Sequence, residues 1–271
     1  EGLPAVVTIS LALGMHEMVK RHALIRRLAS VETLGSATVI CSDKTGTLTQ
    51  NMMTVTEVWA GGKTVNITGT GYVPEGDFIL DGRKVALNEV PAIATTLWVG
   101  SINNDAELEG IEDENGKMNY RIVGDPTEGS ILVAAAKAGV RAADLKRAYP
   151  REGEIPFDSS RKRMVTLHSI KEAEKVSNLP LNKKEHKDAY VIAVKGAPDV
   201  VLKLCNRYLK ADNTTEKLDE QVRQQILKVN VEMTKKALRV LGAAYRIVSA
   251  KPEEVDSDNL EKDLIFAGLI G

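Results

Sequence analysis

The sequence predicts a two-part α/β chain, with a small α/β piece at the start and a larger α+β domain from about residue 52 onward. Three observations carry this. The chain has 271 residues, about two domains at roughly 150 residues each. A short β-type run, ATVICS at 37–42, precedes a Gly- and Thr-rich turn and reads as a buried parallel strand. From Thr54 the pattern becomes strand-like stretches separated by helical ones. A hydrophobic content of 43% with 27% charged residues excludes a mainly disordered chain. Lys plus Arg number 36 against 37 Asp plus Glu, a net charge of −1, which excludes nucleic-acid binding through bulk positive charge. Cys41 and Cys205 lie in apolar runs, which excludes a disulfide scaffold and fits a reducing compartment.

The elements follow in order. Residues 3–15, LPAVVTISLALGM, are apolar but shorter than the roughly 20 residues that span a bilayer. Lys20, Arg21, Arg26 and Arg27 come after this run, an order that suits the cytoplasmic end of a membrane helix. The first residue is Glu1, so the chain is expected to start within a longer protein. Strand-like stretches are Thr54–Trp59, Arg121–Val123, Met164–Ser169 and Tyr190–Val194. Pro126–Ala138 is helical, with Ile131, Leu132, Ala135 and Ala138 on one side and Gly139 closing it. Gln221–Leu238 is a second helix, with Val222, Ile226, Val229 and Met233 at helical spacing. Gly61–Gly82 and Asn103–Lys117 read as loop-rich, and Lys171–Lys187 as a charged, solvated insertion. Leu264–Ile270 is a last strand, expected to return beside the point of departure and to leave a two-stranded hinge between the pieces. His16, His22, His168 and His186 are scattered without metal-ligand spacing and read as surface histidines.

The most informative stretch is Cys41–Asn51, CSDKTGTLTQN. Asp43 sits just past the apolar run, where chemistry gathers in open parallel sheets. A carboxylate there can attack a phosphoryl group and become an aspartyl phosphate. The Thr45–Gly46–Thr47 turn brings hydroxyls and a close-approaching backbone to an anion, and Lys44 adds positive charge.

DKTGTLT resembles the phosphorylation motif of the P-type ATPases, and the resemblance extends over LIRRLASVETLGSATVICSDKTGTLTQN. Haloacid-dehalogenase-like phosphatases carry a second Asp two residues after the nucleophile, as general acid and base. Here that position is Thr45, so the phosphoenzyme is expected to be long-lived. Glu1-Gly2-Leu3-Pro4 resembles the end of the PEGLP element of calcium-type pumps, which implies that Glu1 is an ion ligand at membrane depth.

The resemblance implies residues 1–22 as the cytoplasmic end of a transmembrane helix. It implies 23–51 as the start of a Rossmann-like, haloacid-dehalogenase-type phosphorylation domain. Residues 52–271 are then an α+β nucleotide-binding domain with an antiparallel sheet flanked by helices.

Four places match the nucleotide-binding pattern. Lys195-Gly196-Ala197-Pro198 follows a strand, with Lys195 as a point charge, Gly196 allowing close approach and Pro198 opening the helix Asp199–Cys205. Phe157, in a loop-like FDSSRKRM setting, offers a face to adenine, and Lys162 matches the family's lysine near the phosphates. Where the family often has Arg, this chain has Ser159; either Arg161 or Arg163 compensates, or affinity is lower. Thr127 and Glu128 lie in GDPTEGS, where Glu128 inherits a hydrogen bond from the adenine amino group. Asp125-x-x-Glu128 is also spaced as a capping box, and both roles hold only if Glu128 keeps an oxygen free. Arg239 matches the Arg that reaches phosphate or ribose, with Leu241 near the base.

The implied cofactors are ATP and Mg²⁺, the latter on Asp43 and the Thr45 carbonyl. The implied function is cation transport, with Ca²⁺ favoured, driven through an aspartyl phosphate at Asp43 from the cytoplasmic side of a cell membrane. The sequence contains neither TGDGVND nor the TGE hydrolysis loop, so this chain alone is expected to bind nucleotide without turnover. The alternatives are a soluble haloacid-dehalogenase-type phosphohydrolase and a non-catalytic nucleotide-binding module.

Overall fold

The computed structural model describes residues 2–24, 26–116, 118–171 and 189–271. It divides into two compact units, Glu1–Asn51 and Met52–Gly271.

In the first unit α1 (Leu3–Lys20) is the one helix among the described residues long and apolar enough to cross a membrane. At 1.5 Å per residue its 18 residues measure about 27 Å, longer than the apolar run alone suggests. Helix α2 (Ala29–Gly35) follows. Residues 37–42 form no strand and are exposed, contrary to the sequence reading. A parallel strand needs neighbours for its N–H and C=O groups, and this unit has no strand among its described residues to supply them. Charged Lys171 is the only described part of the charged insertion.

The second unit contains β1 (Glu57–Ala60), β2 (Lys63–Ile67), β3 (Phe78–Leu80), β4 (Arg83–Val85), α3 (Pro91–Ile102), β5 (Glu107–Glu112), β6 (Met118–Val123), α4 (Pro126–Lys137) and α5 (Ala142–Ala148). Then come β7 (Arg151–Asp158), β8 (Arg163–Ser169), β9 (Tyr190–Gly196), α6 (Pro198–Lys203), β10 (Cys205–Leu209), β11 (Thr215–Lys217), α7 (Glu220–Lys235), β12 (Leu241–Val248), α8 (Ser257–Leu260) and β13 (Leu264–Ile270).

Eleven of these strands make one sheet whose main path runs β4-β3-β2-β1-β13-β12-β9-β8-β7. Every pairing along it is antiparallel. β10 adds in parallel to the first half of β13, while β1 pairs with its end, Val58 opposite Ile270. The last strand thus lies beside the first strand of its own unit, and Thr56 N–H donates to the Gly271 carbonyl at 2.9 Å.

Strand alternation builds the two cores. Val191 and Ala193 of β9 face a cluster with Ile93, Leu97 and Ile131 from α3 and α4. Ile192 and Val194 face the opposite cluster with Val201, Leu202, Ile226 and Met233 from α6 and α7. The sheet is flanked by helices on both faces, as the sequence resemblance implies.

Helix α3 escapes a periodicity reading because it is apolar nearly all round, with ten of its residues buried. Three of its hydroxyls bond back into the helix, and Thr95 also reaches Asn213 Oδ1 at 2.7 Å. Thr95, Thr96 and Ser101 hydroxyls donate to the carbonyls of Pro91 at 3.1 Å, Ala92 at 2.8 Å and Leu97 at 2.7 Å. The expected loops at 61–82 and 103–117 contain β2, β3 and β5. β3 is only three residues long, and β2 and β5 are half-exposed and mix in polar residues. The helix after β9 ends at Lys203, and Cys205 opens β10.

Candidate functional site

The ends of β12, β9 and β8 meet at one edge of the second unit, where Gly196 lies opposite both Gly242 and Arg163. A cleft of about 590 Å³ opens there. The structure gathers all eight residues predicted for nucleotide contact around it: Thr127, Glu128, Phe157, Lys162, Lys195, Gly196, Arg239 and Leu241. They come from positions up to 114 apart (241 − 127) and meet only because the sheet is antiparallel.

Lys195 is the centre. It shares the face of Ala193 and reaches the end of α3. Its Nζ lies 2.5 Å from Glu128 Oε1 and donates to Asn103 Oδ1 at 2.9 Å and to the Asn103 carbonyl. Burial pushes the Lys195 ammonium below its ordinary pKa, and the Glu128 carboxylate pulls the other way. Asn103 is fully buried, and its amide donates to the Ala193 carbonyl at 2.7 Å and the Met164 carbonyl at 3.2 Å. Sequence reading missed Asn103. It follows a helix with no amphipathic signal, and only the fold shows that it faces Lys195.

Glu128 settles the capping question. Asp125 Oδ1 caps α4, accepting from Thr127 N–H at 2.7 Å and Glu128 N–H at 3.3 Å. The reciprocal half of a capping box is absent from α4. Instead Glu128 Oε2 accepts from Asp105 N–H at 3.0 Å and Oε1 faces Lys195. Each carboxylate oxygen keeps a further lone pair for a ligand donor. Burial opposes ionisation of Asp125, but the Thr127 hydroxyl and the capping N–H groups outweigh it and hold its pKa down. Arg239 Nη1 donates to Thr127 Oγ1 at 3.0 Å.

Phe157 lies in β7, not in a loop, and is 64% exposed, which excludes core packing. Two residues line the cleft for backbone reasons. Lys162 has φ 54° at the end of the β7–β8 turn. Its carbonyl accepts from Ala197 N–H at 2.9 Å. A Cβ on Gly196 would sit 2.3 Å from that carbonyl oxygen, so this glycine is required by its own hairpin neighbour. Arg161 and Arg163 do not stand in for the missing arginine, because both pair with the buried Glu261. His168 is buried rather than on the surface, with Nδ1 2.9 Å from the Tyr149 carbonyl. Burial pushes its pKa down to about 4.

The other predicted residues lie in the first unit. Asp43, Lys44 and Thr45 are exposed. Thr45 (φ −78°, ψ 120°) and Gly46 (φ 78°, ψ −2°) have type II turn geometry, which needs glycine at the second position. Thr49 N–H, five residues on, donates to the Lys44 carbonyl at 3.1 Å and so encloses the turn in a wider loop. The side chain of Asp43 and the carbonyl of Thr45 are hard oxygen donors of the kind Mg²⁺ takes alongside phosphates. Among the described residues no group of three or more His, Cys, Asp or Glu could hold a metal. His186 and Glu1, the expected ion ligand, lie outside the described residues.

A large antiparallel sheet flanked by helices, with a cleft lined by a buried lysine, a carboxylate and an exposed phenylalanine, defines a mixed α/β domain. Residues 92–271 match the family model of the P-type ATPase, cytoplasmic domain N, and the chain belongs to that family. It is 38% identical over its full length to a calcium-transporting ATPase of Bacillus subtilis, covering 28% of that relative. It is 40% identical to the cation-transporting ATPase pma1 of Synechocystis, covering 100% of this chain and 28% of the relative. A calcium-transporting ATPase type 2C member 1 of Bos taurus is 37% identical over 90% of the chain, which covers 23% of it. The chain therefore spans roughly a quarter of the length of these relatives.

Proposed function

We propose that this chain is the ATP-binding and phosphoryl-accepting portion of a P-type ATPase that moves a cation, Ca²⁺ by preference, across a cell membrane. The observation that carries the reading is the convergence on one cleft of eight residues from the four places in the chain that match the nucleotide-binding pattern. In the cleft, Phe157 stacks on adenine, Glu128 accepts from its amino group with Lys195 beside it as a point charge, Lys162 lies near the phosphates and Arg239 reaches phosphate or ribose. Residues 1–22 form the cytoplasmic end of a membrane helix, 23–51 the start of the phosphorylation domain and 52–271 the nucleotide-binding domain. The name of the Bacillus subtilis relative supports calcium as the cargo.

Asp43 is the phosphoryl acceptor. Its carboxylate oxygen forms a bond to the terminal phosphorus of ATP while the bond from that phosphorus to the ADP oxygen breaks. Mg²⁺, held by the Asp43 carboxylate and the Thr45 carbonyl with the phosphates, supplies charge neutralisation when bound. Thr45 has no carboxylate with which to activate water, so the acyl phosphate outlives a domain movement.

The test is radiolabelled ATP given to the intact membrane protein that carries this sequence. An acid-stable label that requires Ca²⁺ and is lost in Asp43→Asn is expected. Label absent from wild type, or retained in Asp43→Asn, would overturn the assignment. Steady hydrolysis by the 271-residue chain alone would favour a soluble phosphohydrolase instead.

A further inference from the structure

We infer that Glu261 is a positioning residue for the nucleotide cleft, holding the β7–β8 hairpin so that Lys162 and Phe157 face the ligand. The inference rests on the nucleotide-binding reading above.

Glu261 follows α8, about a hundred positions from the hairpin, and its side chain is 3% exposed. Its two oxygens are taken by the two arginines that flank Lys162. Arg161 Nη2 donates to Oε1, and Arg163 donates to Oε2 from Nη2 and from Nε at 3.0 Å. Arg163 Nη1 also donates to the Arg161 carbonyl at 3.2 Å, which ties the hairpin tip to itself. Lys162 sits between them in the turn at φ 54°, and with both neighbours drawn to Glu261 it alone of the three lines the cleft.

The carboxylate's seat is itself fixed. Asp256 Oδ1 caps α8, accepting from Asn259 N–H at 2.8 Å, and Glu261 N–H donates to the Ser257 carbonyl at 2.9 Å. Arg246 of β12 donates to the Asn259 carbonyl at 2.5 Å, and Leu260 is fully buried. The hairpin's own turn adds the remaining constraints. Asp158 Oδ1 accepts from Ser160 N–H at 2.9 Å and Arg161 N–H at 3.0 Å, and Lys162 N–H donates to the Asp158 carbonyl at 2.7 Å. Without Glu261 two neighbouring guanidinium groups, each less than a quarter exposed, would lose the carboxylate they share.

The test is a mutant cycle on the whole chain, read as ATP affinity by calorimetry. Its variants are Glu261→Gln, the pair Phe157→Ala with Lys162→Ala, and all three together. Glu261→Gln is expected to weaken ATP binding about fivefold on its own and less than about twofold in the paired background, because its effect passes through those two side chains. An equal loss in both backgrounds, or no loss in either, overturns the inference. If Glu261→Gln does not fold, Arg161→Gln enters the same cycle with the same expectations. Unchanged ATP affinity in the Phe157→Ala, Lys162→Ala pair would instead overturn the nucleotide reading itself, an arm that does not touch Glu261.

Discussion

Lys195 Nζ and Glu128 Oε1 stand 2.5 Å apart in the floor of the cleft, with side chains 8% and 16% exposed. Asn103 supplies Lys195 with two more acceptors, so the three ammonium hydrogens are all committed without a ligand. A ligand that takes a hydrogen bond from Lys195 must take it from one of these partners. Glu128→Gln removes the charged partner and leaves the buried ammonium with the neutral acceptors of Asn103 and Met164 Sδ. Unfolding free energy should fall by about 2 kcal/mol. The lysine pKa should drop further below 10.5, since Glu128, ahead of Asp105, is the main group that raises it against burial. Urea denaturation and lysine-selective NMR titration check the two outcomes.

Phe157→Ala separates recognition from stability. The ring is 64% exposed, so its removal should change unfolding free energy by less than about 0.5 kcal/mol. Loss of base stacking should weaken ATP binding at least about fivefold. Calorimetric titration beside a thermal melt tests both.

Gly196→Ala tests the hairpin approach. The new methyl would sit 2.3 Å from the Lys162 carbonyl oxygen and 2.7 Å from Arg163 Cβ. Rigid backbone, not a flexible side-chain end, must give way. A loss of about 1–3 kcal/mol is expected, with faster hydrogen exchange at Ala197, whose N–H bonds to that same carbonyl. An unchanged Ala197 exchange rate would show that the hairpin accommodates the methyl.

His168 gives a pH signature. Its pKa falls from 6.5 to about 4 on folding, chiefly through burial, with Arg151 adding repulsion and the Tyr149 carbonyl opposing. The folded state therefore binds fewer protons than the unfolded chain between these values, and stability rises with pH. As pH falls from about 6.5 to 4, His168 should withdraw roughly 3 kcal/mol of stability. His168→Gln should show a shallower loss over that window in denaturant titrations at stepped pH. Parallel curves for the two proteins would refute it.

How far the sequence carried is clear from particular residues. Pro126–Ala138 announces its helix through a cap, a stripe and Gly139, and the structure ends it within a residue of the expected place. Strands β9 and β13 are legible because each carries a continuous apolar run, and β8 through its β-type residues Val165, Thr166 and Leu167. The eight cleft residues are legible through resemblance, yet their convergence is a property of the sheet. Asn103 and Glu261 carry no local signal, since each acts through partners some 90 to 100 positions away. The run at 37–42 misled because an apolar β-type stretch says nothing about whether a pairing strand is at hand.

The pairing of β1 with β13 has one more result. Thr56 and Glu57 N–H groups both bond the Gly271 carbonyl, at 2.9 and 3.1 Å, and Gly271 N–H returns to Glu57 at 2.8 Å. The first and last strands of the unit thus close on each other one strand spacing apart, about 4.8 Å, and fraying of either would strip the other of its ladder partners on that side.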